Sequence, residues 1–173
     1  SDPIDRYYLL LTTIDGGATW NELQSNSLYS AEGEAAFAAS GTCLITNGKA
    51  GVFLVSGGTD ARVFMSTNKT WTWNSAKTPI IKGTPGSGIF SIAMVDATKG
   101  VIVGGNYEKP NDAKDSLAFT TDGGKTWKSG SGLTGYRSGV TYVDKKTIIA
   151  VGTNGSDILR DGGKTWKILG KED

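Results

Sequence analysis

Residues 120–127 read Thr120-Thr121-Asp122-Gly123-Gly124-Lys125-Thr126-Trp127. The same order of residue types returns as Thr13-Ile14-Asp15-Gly16-Gly17-Ala18-Thr19-Trp20 and as Leu159-Arg160-Asp161-Gly162-Gly163-Lys164-Thr165-Trp166. A fourth, altered copy is Ser66-Thr67-Asn68-Lys69-Thr70-Trp71-Thr72-Trp73. The shared pattern is Ser/Thr-x-Asp-x-Gly-x-Thr-Trp, here called the box. A motif repeated along a chain marks an array of one supersecondary unit, in which each unit buries its apolar face only against its neighbours.

Each box position has a physical task. The Asp carboxylate accepts hydrogen bonds from amides of its own turn. The Gly admits the positive φ that a tight hairpin needs. The Thr starts the next strand, and the Trp is expected to wedge between neighbouring sheets. The structural residues of the set are Asp15, Gly17, Trp20, Asn68, Trp73, Asp122, Gly124, Trp127, Asp161, Gly163 and Trp166. The second copy carries Asn68 for Asp and Thr70 for Gly, so an altered turn is expected there, because a β-branched residue is strained at positive φ.

Working outward, a second repeat precedes the boxes. Residues 51–58, 100–105 and 147–152 are apolar, β-rich runs that end in Gly, and each follows another apolar segment at 35–39, 89–95 and 139–143. Near-continuous apolar runs are strands buried on both faces. The segments after the Trp are polar and suit a solvated edge. One unit is therefore two buried inner strands, a half-exposed third, the box turn and an outer strand: a four-stranded antiparallel propeller blade in an all-β fold. The expected single domain spans 1–173, with a half blade at 1–24 and blades at 33–77, 88–130 and 136–170. That makes about three and a half blades, a fragment of a six- to eight-bladed ring, and an open arc whose sheet faces invite self-association.

The boxes resemble the Asp-box, or bacterial neuraminidase (BNR) repeat, of sialidases, sortilin-type receptors and photosystem II assembly-factor-like propellers. The stretches Glu34-Ala35-Ala36-Phe37-Ala38-Ala39-Ser40-Gly41-Thr42 and Tyr136-Arg137-Ser138-Gly139-Val140 are similar to bacterial BNR propellers that carry a loose "oxidoreductase" label. The resemblance implies a secreted or periplasmic protein that binds a protein or glycan partner.

Composition removes whole classes of chemistry. The chain has 173 residues, a net charge of +1 from 18 basic and 17 acidic residues, and no histidine. No basic surplus points to nucleic acid. His-based triads, His metal ligands and His general bases are excluded. The single cysteine, Cys43, lies in an apolar run and reads as a small buried hydrophobe; no internal disulfide is possible. No apolar run approaches the roughly 18 residues of a membrane-spanning helix, so membrane insertion is not expected. Gly123-Gly124 and Gly162-Gly163 belong to box turns rather than to a strand–helix phosphate loop, which argues against a dinucleotide cofactor. No cofactor or metal is expected.

Strand alternation assigns the faces. Box turns and the turns between first and second strands lie on one face; the long connections at 21–33 and 106–115 lie on the other. The four box positions Asp15, Asn68, Asp122 and Asp161 are thus structural. Glu34, Phe90, Tyr136 and Arg137 open the inner strands and should ring the channel mouth on the long-loop face, with Arg62 joining them. They are candidates to bind a polar ligand. A non-catalytic binding or scaffold module is the expected function, with a glycan-active (sialidase- or glycosidase-like) or lectin-like propeller as the alternative. A sialidase needs an arginine cluster and a Tyr–Glu pair, whereas this chain offers only Arg6, Arg62, Arg137 and Arg160. If the whole protein is an enzyme, glycoside hydrolysis fits better than redox chemistry.

Overall fold

The computed structural model describes residues 2–23, 25, 27–48, 51–67, 72–162 and 165–170. Among these there are sixteen strands and no α-helix. Nothing in the described residues is a helix long and apolar enough to cross a membrane.

A first box connects β1 (Leu11–Thr12) to β2 (Asn21–Glu22) in a two-stranded hairpin. The second sheet has the order β4 (Leu44–Thr46), β5 (Val52–Val55), β7 (Arg62–Ser66), β8 (Asn74–Lys77). The third runs β9 (Ser87–Met94), β10 (Gly100–Asn106), β11 (Leu117–Thr120), β12 (Lys128–Ser129). The fourth runs β13 (Gly139–Tyr142), β14 (Ile148–Gly152), β15 (Gly155–Leu159), β16 (Trp166–Gly170). Every pairing within these sheets is antiparallel, and each strand pairs with the next one of its own sheet. Two short strands, β3 (Glu34–Ala35) and β6 (Gly57–Gly58), continue the inner strands of the second sheet and pair onward to β9, so sheets two and three share a hydrogen-bonded seam.

The inner strand of the second sheet differs from expectation. Residues 35–39 do not form one strand: the chain leaves the sheet after Ala35 and rejoins it at Leu44. The cause is Phe37, whose ring stacks on Phe90 at 3.8 Å and 9°. A side chain on Gly57 would collide with that ring. Segment 36–43 instead crosses the channel side of the third sheet, where Thr42 Oγ1 and Ser91 Oγ are 2.5 Å apart, and reaches the fourth, where Ser40 Oγ donates to Ser138 O at 3.3 Å.

The glycines that end the second strands have a shared reason. A Cβ on Gly58, Gly104 or Gly152 would collide with the carbonyl oxygen of Gly33, Gly88 or Tyr136 respectively, where the first strand of the same sheet enters. Only glycine lets the two innermost backbones converge so closely at the axis.

Packing between sheets follows the box. Trp73 joins Tyr8, Leu28, Leu54 and Phe64 between the first hairpin and the second sheet. Trp127 joins Phe53, Val55, Val63, Ile92 and Ile102 between the second and third. Trp166 packs on Val101, Leu117, Ile148 and Leu159 between the third and fourth. Each box Trp therefore presses against the sheet before its own. Among the described residues no sheet packs against Trp20, which is 58% exposed where Trp127 is 8% exposed. Replacing Trp127 by Ala should cost about 3–5 kcal/mol, while Trp20→Ala should stay within about 1 kcal/mol; urea unfolding of the two variants measures the difference.

Candidate functional site

Two of the boxes form complete hydrogen-bonded locks. In the third sheet Asp122 Oδ1 accepts from Thr126 N at 2.9 Å and from Thr120 Oγ1 at 2.8 Å, and Asp122 Oδ2 accepts from Thr126 Oγ1 at 2.5 Å. Gly124 N donates to Thr120 Oγ1 at 3.0 Å, and Trp127 Nε1 donates to Gly124 O at 3.0 Å. Gly123 and Gly124 sit at φ 76 and 87, which explains the glycine pair. The first box repeats this set, with Thr19 N on Asp15 Oδ1 at 2.9 Å, Gly17 N on Thr13 Oγ1 at 2.9 Å and Trp20 Nε1 on Gly17 O at 3.1 Å. In the last box Thr165 N donates to Asp161 Oδ1 at 3.0 Å. Asn68 and Gly163 lie outside the described residues. The boxes touch the turns between first and second strands, as in Gly123 N to Thr98 O at 2.8 Å and Gly162 N to Lys146 O at 3.1 Å. Their carboxylates are thus satisfied by their own turns, on the face away from the long connections.

On the opposite face a cavity of about 990 Å³ opens over the channel, with Phe37, Phe90, Tyr107 and Tyr136 in its wall and Arg6, Glu32 and Pro85 around it. Phe90 is the hub. Besides the Phe37 stack it meets Tyr136 edge-on at 4.8 Å and Tyr107 edge-on at 6.2 Å. Phe90 and Tyr136 are buried at 4% exposure, whereas Tyr107 is 48% exposed and forms the rim. Connection 106–115 holds Tyr107 there: Asn106 Oδ1 accepts from Glu108 N at 2.9 Å, and Tyr136 N donates to Pro110 O at 2.9 Å.

The structure brings Glu34 and Arg62 together, but with each other. Arg62 Nε donates to Glu34 Oε1 at 2.9 Å, and Arg62 Nη2 bonds Glu34 Oε2 and Tyr29 O. Ser56 Oγ and Ala31 N complete the carboxylate's shell at 2.5 and 2.7 Å. Arg62 Cζ also lies 4.6 Å over the Phe64 ring. Arg137 is not at the mouth. It is fully buried: Nε donates to Asp157 Oδ2, Nη1 donates to Tyr136 O and Asn154 Oδ1, and Nη2 donates to Thr134 Oγ1 and forms the ion pair with Asp157.

These two buried pairs are charge-reversed equivalents. The second sheet places its acid on the first strand and its base on the third; the fourth sheet has the base ahead of its first strand and the acid, Asp157, on its third. Both tie the axis-side start of a sheet to its third strand. Of the five candidates, Phe90 and Tyr136 stand in the cavity wall, Glu34 lines it as a neutralised pair with Arg62, and Arg137 is interior. Sequence reasoning missed Phe37, Tyr107 and Asp157. Phe37 falls inside the expected inner strand 35–39, Tyr107 inside the long connection 106–115, and Asp157 carries no signal beyond an acid inside an apolar strand.

Tyr8 lies beside the Glu34–Arg62 pair, and burial, followed by the Glu34 carboxylate, raises its phenol well above the usual tyrosine range. A phenol held protonated in this way is the reverse of an activated nucleophile.

No protein-family model and no curated protein matches the chain. Among solved structures, "YCF48 bound to D1 peptide" is similar over 80% of this chain and 44% of that one, with a TM-score of 0.51 and 16% identity. Identity this low carries the fold alone: this chain has the β-propeller fold, in four-stranded antiparallel sheets. The chain spans less than half the length of that structure.

Two predictions follow from the locked charges. The Thr126 hydroxyl, then the Thr126 amide and the Thr120 hydroxyl, hold the Asp122 carboxyl at about 2, below its ordinary 3.8. A depressed folded value means that Asp122 stabilises above about pH 4 and loses that contribution as pH falls through about 2; carboxyl-carbon NMR should place its titration there. Arg137→Met should cost about 3–5 kcal/mol, because Asp157 is left charged and buried. Adding Asp157→Leu should recover much of that loss in urea unfolding.

Proposed function

We propose that this chain is a non-catalytic binding module that takes a peptide segment of a partner protein at the channel mouth. The observation that carries the reading is the aromatic wall of the mouth, with its neighbouring charges already neutralised. Phe37, Phe90 and Tyr136 make a preformed apolar surface, and Tyr107 adds an amphipathic ring at the rim, the kind of anchor that dominates protein–peptide contacts. The similar propeller was solved bound to a peptide, which supports the same class of ligand here.

The local chemistry disfavours glycan hydrolysis in this chain. An anionic sugar needs unpaired guanidinium groups, yet Arg62 serves Glu34 and Arg137 serves Asp157. The one grouping that brings Tyr, Glu and Arg together, Tyr8–Glu34–Arg62, holds its phenol protonated and buried. The cavity itself is lined by Asp2, Glu32 and the paired Glu34 against the single guanidinium of Arg6. That balance favours a neutral or basic peptide over an acidic one.

A cellulose-bound array of overlapping 15-residue peptides, probed beside a glycan array, tests this reading. Peptide binders should be found, and Tyr107→Ala should weaken a selected peptide about tenfold in calorimetry. Its thermal midpoint should not move, because Tyr107 is largely exposed. Binding to glycans alone, or peptide binding indifferent to Tyr107→Ala, would contradict the proposal.

A further inference from the structure

The charges at the cavity divide into a quenched set and an open set. Glu34 is quenched. Its Oε1 accepts from Ser56 Oγ and Arg62 Nε, and its Oε2 accepts from Ala31 N and pairs with Arg62. Asp2 and Arg6 stand in the wall with opposite signs and offset one another. The open set is acidic. Glu32 lies in the wall and is exposed; its backbone carbonyl accepts from Thr59 Oγ1, but its carboxylate has no hydrogen bond or ion pair among the described residues. Glu108 follows the rim residue Tyr107. It folds back toward the chain beside Pro85, so that a Cβ on Gly86 would lie 3.2 Å from its carboxyl carbon. Its carboxylate too is exposed and unpaired among the described residues.

The wall beside these acids is aromatic. Phe37 and Tyr107 are its accessible rings, while Phe90 and Tyr136 are buried. An aromatic ring next to unpaired carboxylates attracts a cation twice, through its quadrupole and through the field of the acids. The chain makes such a grouping internally, where Arg62 lies over Phe64 and binds Glu34. Water reaches both open carboxylates, so a strongly hydrated ammonium gains little by leaving bulk solvent. A guanidinium is more weakly hydrated, stacks on a ring through its plane and forks onto a carboxylate through its edge. Its aliphatic stem can also cover the apolar wall at Ala35, Ala36 and Phe37 while the charged head stays at the wet rim.

We infer that the peptide is anchored by an arginine side chain, laid on Phe37 and Tyr107 with its guanidinium in the field of Glu32 and Glu108. The inference rests on the peptide reading of the mouth and names the residue that the mouth selects. An acidic side chain at the same place meets two carboxylates and is rejected.

A library of short peptides tests it, with the central residue fixed in turn as Arg, Lys, citrulline, Phe or Glu and the flanking positions randomised. Citrulline keeps the shape and planarity of arginine without its charge. The arginine pool should bind the chain most tightly, about tenfold better than the citrulline pool, with the lysine pool between them and no binding of the glutamate pool. On the Glu32→Gln/Glu108→Gln double variant the arginine-to-citrulline ratio should shrink to about twofold. Both side chains are exposed, so this variant should keep the wild-type thermal midpoint. A phenylalanine or lysine pool that leads, arginine and citrulline pools that bind alike, or a ratio unchanged in the double variant would each overturn the inference and leave the peptide reading in place. Binding of none of the pools would overturn that reading and this inference together.

Discussion

The bond between a box carboxylate and the threonine four residues later is the constraint on which this architecture depends. In Asp122 it closes the turn, and the turn carbonyl of Gly124 then holds the indole of Trp127. A flexible aromatic side chain becomes a fixed wedge at a set height and angle. The wedge meets apolar residues of the sheet before it, such as Phe53 and Val63, and so converts a local turn preference into a long-range contact. An isolated four-stranded sheet of this size has two apolar faces and one small core; repeating the wedge gives each internal sheet a partner on both sides.

At the axis the constraint is steric rather than electrostatic. Inner strands must approach backbone to backbone, and Gly58, Gly104 and Gly152 are the points at which any side chain would block them. The starts of the second and fourth sheets are then pinned by Glu34–Arg62 and Arg137–Asp157. At the equivalent position, the residue after the close-approach carbonyl, the third sheet carries the core residue Ile89 and no charge. The next residue is Phe90, on which Phe37 and Tyr136 converge. The apolar patch at the mouth follows from that interruption in the ring of buried pairs.

Much of the fold was legible because its signals are local and repeated. Asp122, Gly124 and Trp127 define a turn by their own spacing, and the glycines ending the second strands mark a close approach whatever its partner. The inner strand at residues 35–39 misled for a physical reason: Ala-Ala-Phe-Ala-Ala is as apolar as a buried strand, and the collision between a Gly57 side chain and Phe37 exists only in three dimensions. The site was half legible. Phe90 and Tyr136 were expected at strand starts, whereas β9 begins at Ser87 and β13 at Gly139; both still stand in the cavity wall. The engagement of Arg137 by Asp157 joins residues on different strands, and no pattern in the chain announces that an arginine already has its acid.

The wedge is the central claim, and fluorine NMR of protein labelled with 5-fluorotryptophan tests it most directly. The account predicts that the Trp73 and Trp127 resonances are protected from a soluble paramagnetic quencher and show little solvent-isotope shift, with Trp20 fully accessible to both. Equal accessibility of Trp20 and Trp127 would contradict it, since the two boxes are built alike and, among the described residues, only Trp127 has a sheet packed against it.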